Sequence, residues 1–217
     1  MLHNPAPACP VCLGNTVAWF MAVGERGYWR CRRCEATFLD PSQRPDRQTE
    51  KAEYDQHDNE VADPGYRRFL ARLSEALTPR LMPGDRVLDF GCGPGPALVA
   101  MLRESGFAAH GYDPFYAPDE ALLQGRYEGI TCTEVVEHLH APARTFQLLD
   151  QLLLPGGWLG VMTCFQTDDE RFAHWHYRRD PTHVVFYRES TLHWVAARFG
   201  WHCEVPRKDV ALMYKPL

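Results

Sequence analysis

The stretch Arg86-Val87-Leu88-Asp89-Phe90-Gly91-Cys92-Gly93-Pro94-Gly95-Pro96-Ala97 decides how this chain folds. A short apolar run, Arg86 to Phe90, gives way to a turn carrying three glycines, and from Ala97 to Glu104 the apolar residues fall at helical spacing. Strand, glycine-rich turn and helix in that order are the opening unit of a doubly wound α/β domain. Glycines there let backbone approach a ligand closely and leave helix N-terminal N–H groups free to donate. The dinucleotide fingerprint requires a third glycine where this chain has Pro96, and no Gly-Lys-Ser/Thr is present to make a phosphate loop. The flanking sequence therefore has to say which ligand the turn serves.

Working outward, Gly111-Tyr112-Asp113-Pro114 places an acid at a second strand end, where a carboxylate can accept both hydroxyls of a ribose. Gly129-Ile130-Thr131-Cys132-Thr133-Glu134 reads as a further strand, and Leu154-Pro155-Gly156-Gly157-Trp158-Leu159 as the turn into the next. Val87 to Gly95 resembles the first motif of class I S-adenosylmethionine-dependent methyltransferases, and Gly111 to Pro114 resembles their second; the resemblance spans residues 66–205. It implies a Rossmann-like sheet in which Asp89, Gly91, Cys92, Gly93 and Gly95 flank the methionine part of the cofactor. By the same resemblance Asp113 holds the ribose, and Thr133 and Glu134 join the cofactor site from the fourth strand. Only 16 residues separate Asp113 from Ile130, too few for the usual helix, strand and helix at ordinary element lengths. The third strand is expected to be shortened or missing, so the family's adenine contacts are not carried over.

Directly after that fourth strand comes Glu134-Val135-Val136-Glu137-His138, at the sheet edge where open α/β folds place ligands. Two carboxylates and an imidazole that converge can bind a hard divalent cation such as Mg²⁺ or Mn²⁺, with His183 in Asp180-Pro181-Thr182-His183 as the further ligand. The segment looks like that of the ubiquinone-pathway O-methyltransferases and the small-RNA 3′-end 2′-O-methyltransferases, whose pattern Glu134, Glu137, His138 and His183 match position by position. A metal-free reading also fits, with the glutamate capping a helix and the histidines lining an acceptor pocket. In either version Glu137, His138 and His183 are the candidate catalytic residues, acting through a bound ion or as general base. A third arrangement gathers His174, His176 and His183 with Trp175 and Tyr177 around the acceptor, although His174 and His176 read as an aromatic-rich loop more than as ligands.

Upstream, Cys9-Pro10-Val11-Cys12 and Cys31-Arg32-Arg33-Cys34 are two CxxC knuckles 18 residues apart, the spacing of a four-thiolate zinc site. Residues 1–45 are read as a zinc ribbon whose Gly24 and Gly27 let the intervening segment turn back as a hairpin. So short a segment buries too little apolar surface alone, so the metal would supply most of its folding free energy. A closed four-thiolate site is structural, so the ribbon organises or recognises and does not catalyse. Residues 46–217 are read as the methyltransferase domain: a linker and N-terminal helix over 46–82, with the helix at Tyr66–Leu81, then the α/β sheet over 83–217. Residues 40–65, with Pro41, Pro45, Pro64 and Gly65, read as the linker that crosses between the two.

With 45% apolar and 24% charged residues, the 217-residue chain lies within the range of folded proteins, which excludes wholesale disorder. Met1 to Pro5 carry no signal-peptide pattern and no apolar window spans a membrane, so the expectation is a cytoplasmic protein without a membrane partner. The net charge of −5 divides into +1 over residues 1–50, −10 over 51–170 and +4 over 171–217. An acidic centre favours a small-molecule hydroxyl acceptor over nucleic acid. Alternatives left open are an RNA acceptor recognised through the ribbon, Arg32-Arg33 and Arg178-Arg179, and a catalytically inactive module whose ribbon docks a protein partner. A nicotinamide oxidoreductase is disfavoured by Pro96 and by the Glu134 to His138 segment. Cys92, Cys132, Cys164 and Cys203 read as isolated thiols in apolar contexts rather than nucleophiles.

Overall fold

The structure, a computed structural model, describes residues 6–56 and 60–217; the Met1–Pro5 reading and part of the 40–65 linker fall outside those residues. The main sheet is built from β4 (Arg86–Phe90), β5 (Ala108–Tyr112), β6 (Tyr127–Thr133), β7 (Leu153–Met162), β9 (His202–Arg207) and β10 (Val210–Tyr214). Its order is β5-β4-β6-β7-β10-β9, with the first four strands parallel and the last two antiparallel to their neighbours. Side chains alternate across a strand, and the alternation here feeds two cores. Val87, Val210 and Leu212 pack with Leu70, Leu73, Leu77, Leu98 and Leu102 of α2 (Pro64–Leu77) and α3 (Ala97–Glu104). Leu88, Ala211 and Met213 face the other way, onto α4 (Pro142–Leu152) and α5 (Glu189–Arg198) through Phe146, Leu149, Leu192 and Val195. Helices therefore cover both faces of the sheet, as the glycine-turn unit requires. Among the described residues no strand lies beyond β5: residues 113–126 form a bridge between Asp113 and Ala117 and a short turn at Glu120–Gln124, which bears out the missing third strand.

A second, four-stranded sheet has the order β1-β2-β3-β8, from β1 (Val17–Val23), β2 (Arg26–Cys31), β3 (Thr37–Leu39) and β8 (Val185–Phe186). The expected hairpin is β1 paired antiparallel with β2. The last strand comes from far along the chain: Thr37 pairs with Phe186 and Phe38 with Val185, so residues 1–45 do not complete this sheet alone. The contact continues below, where Cys9, Val11, Tyr28 and Phe38 share one apolar core with Val136, Phe146, Phe172 and Tyr187.

Two expectations need correction. The 40–65 segment is not an irregular linker, since α1 (Arg47–Tyr54) lies within it, capped by the Asp46 carboxylate accepting from the Thr49 N–H. Its sequence carries no apolar stripe and buries none of its residues, so the period that betrays a core-facing helix is absent. The helix expected at Tyr66–Leu81 starts earlier and stops earlier, at Pro64–Leu77, because Asp63 caps it and Pro64 occupies the first turn, where proline is tolerated. A tight turn over Thr78–Arg80 follows. No helix among the described residues is long and apolar enough to cross a membrane.

Candidate active site

Parallel β4, β5 and β6 bring the ends of three strands to one edge, and with them Asp89, Asp113, Thr133 and Glu134. The turn after β4 is tight because Gly91 (φ +82°) packs where a Cβ would stand 2.3 Å from Val135 Cγ2. Gly93 (φ +64°) is the opposite case: a Cβ there would meet nothing within 4 Å, so its face is open to a ligand. The N–H groups of Gly91 and Cys92 both donate to the Tyr112 carbonyl, at 2.7 and 3.1 Å, which ties the turn to β5. Gly93 N–H donates to Asp113 Oδ2 at 3.1 Å, while Oδ1 accepts from the N–H groups of Phe115 and Tyr116 at 2.8 and 3.1 Å. The carboxylate is thus aimed by backbone and retains lone pairs for hydroxyl donors. Gly95 is buried, its carbonyl accepting from Ala97 N–H at 2.7 Å. The Asp89 carboxyl is buried and accepts the Thr131 hydroxyl at 2.7 Å; burial, with the Asp113 charge added, pushes it up to about 7. Thr133 Oγ1 is buried with no partner, a polar atom that a bound ligand would satisfy. Burial raises the Cys92 thiol, in keeping with a packing role.

On the other side of the β6 end, the ligand-type atoms of Glu137, His138 and His183 lie within 4.8 Å of one another. Glu137 is fully buried, and its Oε2 has no partner. Both imidazoles are held the same way round. His183 Nδ1 faces the Tyr177 carbonyl at 2.6 Å and His138 Nδ1 the Thr182 carbonyl at 3.3 Å. A carbonyl can only accept, so each Nδ1 donates there and each Nε2 faces the other way, 3.8 Å from Glu137 Oε1 for His138 and 3.7 Å from Asp180 Oδ2 for His183, the orientation of a metal-ligating or proton-accepting histidine. Burial holds the His138 imidazole below its ordinary value, which favours the neutral form. Glu134 is not one of the three. It sits at φ +51°, rare for a residue with a side chain, and meets Glu137 only through the Tyr177 hydroxyl, 3.1 Å from Glu134 Oε2 and 2.6 Å from Glu137 Oε1. Burial first, then the charge of Glu137, pushes the Glu134 carboxyl up to about 9. His174 and His176 are exposed.

Sequence reasoning offered Tyr177 only as a possible acceptor-lining ring beside His183 and did not foresee its contact with Glu137; it missed Thr163 as a polar part of this site. Tyr177 is buried and its oxygen lies 3.0 Å from Thr163 Oγ1, just past β7. It also missed α1, whose Tyr54 ring stands edge-on to His138 at 5.2 Å and 5.7 Å from Phe115, roofing the edge between Asp113 and His138. An exposed cleft of about 660 Å³, lined by Arg47, Lys51, Asp55, Pro114 and Phe115, opens beside this roof.

The four ribbon cysteines are buried, with Sγ atoms within 4.8 Å of one another; Cys9 and Cys34 are 3.5 Å apart and Cys12 and Cys31 3.4 Å. A tetrahedral ion with ~2.3 Å bonds needs sulfurs about 3.8 Å apart, close to this spacing. The N–H groups of Gly14 and Arg33 point at Cys12 and Cys31 Sγ, each at 3.4 Å, as backbone donors around metal-bound sulfur do. The set therefore fits zinc.

A doubly wound sheet with a glycine turn on its first strand and acids at the next two strand ends defines a nucleotide-cofactor domain. Residues 60–204 match the methyltransferase domain family, and the chain belongs to it. It is similar to a ubiquinone biosynthesis O-methyltransferase of Leptothrix cholodnii, 38% identical over 94 residues, 42% of this chain and 39% of that protein. A second of that name, from Burkholderia pseudomallei, is 30% identical over 116 residues, 42% of this chain and 50% of the relative. The chain thus spans half or less of the length of these relatives. Among solved structures, the fold is like that of the Burkholderia thailandensis 1,6-didemethyltoxoflavin-N1-methyltransferase with bound 1,6-didemethyltoxoflavin and S-adenosylhomocysteine. The TM-score is 0.56 at 15% identity, over 92% of this chain and 99% of that one.

Proposed function

We propose that this chain is an S-adenosylmethionine-dependent methyltransferase acting on an oxygen of a small-molecule acceptor, with a divalent ion held by Glu137, His138 and His183 and zinc held by the four ribbon cysteines. The observation that carries the reaction is the pairing, on one sheet edge, of an open Gly93 face beside the aimed Asp113 carboxylate with a buried Glu137 whose carboxylate lies within 4.8 Å of ring nitrogens of His138 and His183. Asp89, the Gly91 to Gly95 turn, Asp113 and Thr133 would hold the cofactor, whose sulfonium supplies the methyl group. Glu137, His138 and His183 would orient an acceptor hydroxyl and lower its pKa; in-line displacement from a sulfonium needs alignment and deprotonation more than covalent help. The unpartnered Glu137 Oε2 and the two Nδ1-anchored histidines make a one-carboxylate, two-imidazole set that suits a divalent transition-metal ion such as Mn²⁺. Residues 1–45 form the zinc ribbon and 46–217 the methyltransferase domain in this reading.

A small acceptor is favoured by the acidic centre of the chain and because Arg178, one of the arginines that suggested RNA, is turned inward and donates to the Tyr28 hydroxyl at 3.3 Å, while Arg32, Arg33 and Arg179 are exposed. The relatives' name makes a ring hydroxyl the first acceptor class to try.

The test is a calorimetric titration of Mn²⁺ into zinc-loaded protein saturated with S-adenosylhomocysteine, repeated on Glu137→Gln. A one-site isotherm that vanishes in the variant is expected. Heat that persists unchanged in Glu137→Gln removes the ion from this site and leaves His138 and His183 as the base. In a parallel titration Asp113→Ala should weaken S-adenosylhomocysteine at least tenfold; nicotinamide-cofactor binding in its place would overturn the methyltransferase reading.

A further inference from the structure

Tyr177 lies on neither of the segments that supply the candidate ligands Glu137, His138 and His183, yet it touches two of them from opposite ends of one residue. Its hydroxyl meets Glu137 Oε1 at 2.6 Å, its backbone carbonyl takes the His183 Nδ1 proton at 2.6 Å, and its ring lies 4.2 Å from the His183 ring. A phenol has one hydrogen to give, and the shortest contact, to Glu137, claims it; the oxygen keeps lone pairs for the Thr163 hydroxyl at 3.0 Å. Carboxylate torsions of glutamate are broad, and for the fully buried Glu137, with Oε2 free and His138 Nε2 3.8 Å from Oε1, the Tyr177 hydroxyl makes the hydrogen bond that sets the plane of the carboxylate.

We propose that Tyr177 is the positioning residue of this centre: its hydroxyl, steadied by Thr163, sets the Glu137 carboxylate while its carbonyl sets the His183 ring, so that both present their free atoms to one point. The inference rests on the reading of Glu137, His138 and His183 as a divalent-cation site. Such outer partners of metal ligands govern affinity by roughly 10- to 100-fold.

Tyr177→Phe removes the hydroxyl alone and keeps the ring and the carbonyl. In the Mn²⁺ titration of zinc-loaded, S-adenosylhomocysteine-saturated protein, this variant should bind Mn²⁺ at least tenfold more weakly while its S-adenosylhomocysteine affinity stays within twofold of the parent. Thr163→Val, which leaves Tyr177 whole but removes its support, should show a smaller loss in the same direction and serves if Tyr177→Phe does not fold. Equal Mn²⁺ affinity in parent and variants overturns the positioning role and leaves the cation site standing. Parallel loss of Mn²⁺ and S-adenosylhomocysteine makes Tyr177 a general packing residue and also overturns it. A parent that binds no Mn²⁺ removes the cation reading and the inference with it.

Discussion

Asp89 is a buried acid whose carboxyl sits near 7, raised first by burial, against an ordinary value of 3.8. The folded state therefore keeps a proton between about pH 4 and 7 that the unfolded chain releases, and stability falls across that window as pH rises. The penalty is complete above pH 7 and absent below pH 4, on the order of a few kcal/mol for a fully buried group. Asp89→Asn should raise the melting temperature of the cofactor-free protein at pH 8 and leave it nearly unchanged at pH 4, with loss of S-adenosylhomocysteine affinity. A gain of equal size at both pH values would contradict the raised carboxyl. Leu13 and Glu35 show a different local effect. Each follows the second cysteine of its knuckle, at φ +59° and +61°, a conformation that costs a residue with a Cβ roughly 1–2 kcal/mol. Leu13→Gly should accordingly hold or raise the protein's melting temperature, where glycine elsewhere in an ordered element lowers it; a clear drop would mean that the exposed Leu13 side chain contributes more than the backbone strain costs.

At the scale of elements, β3 and β8 connect the ribbon to the site. Leu39 N–H donates to the Val184 carbonyl at 2.9 Å, and Val184 N–H donates to the Glu137 carbonyl at 2.9 Å, so a short ladder runs from five residues past Cys34 to the two segments carrying Glu137 and His183. The cofactor edge, by contrast, is made by β4, β5 and β6. With zinc and Mn²⁺ held as proposed, stripping zinc with a chelator, or Cys34→Ser, should therefore speed amide exchange at Leu39 and Val184 and weaken Mn²⁺ binding while S-adenosylhomocysteine still binds. Unchanged exchange at Val184 would show that β8 is held without the ribbon. The elements of the main sheet were legible because each carries its own signal: the Arg86–Phe90 run, the glycine turn, and the Ala97–Glu104 helix stand where the residues placed them. The missing third strand was legible too, as a shortage of chain. Helix α1 was not, because it faces solvent with polar residues and its placement depends on contacts such as Glu50 with His140 at 2.9 Å, made with a distant segment.

For the whole molecule, one consequence is that the face of the sheet carrying α4 and α5 is shared with the ribbon, as Cys9, Val11 and Tyr28 enter the same core as Phe146 and Tyr187. A chain starting at residue 46 would expose that surface and leave β8 unpaired, so it should aggregate or melt without a cooperative transition; a stable, monomeric 46–217 fragment with a sharp melt would contradict this. By itself the sequence determined the doubly wound class, the glycine turn with its two acids, the zinc-spaced knuckles and three of the residues that converge after β6, because each is a local pattern of residue type and spacing. Only the tertiary structure decided that Tyr177 rather than Glu134 adjoins Glu137 most closely, that Tyr54 roofs His138, and that a strand from residue 185 completes the ribbon's sheet. Those are meetings of segments far apart along the chain, and they are set by which apolar faces can be buried together, a quantity no local window of sequence contains.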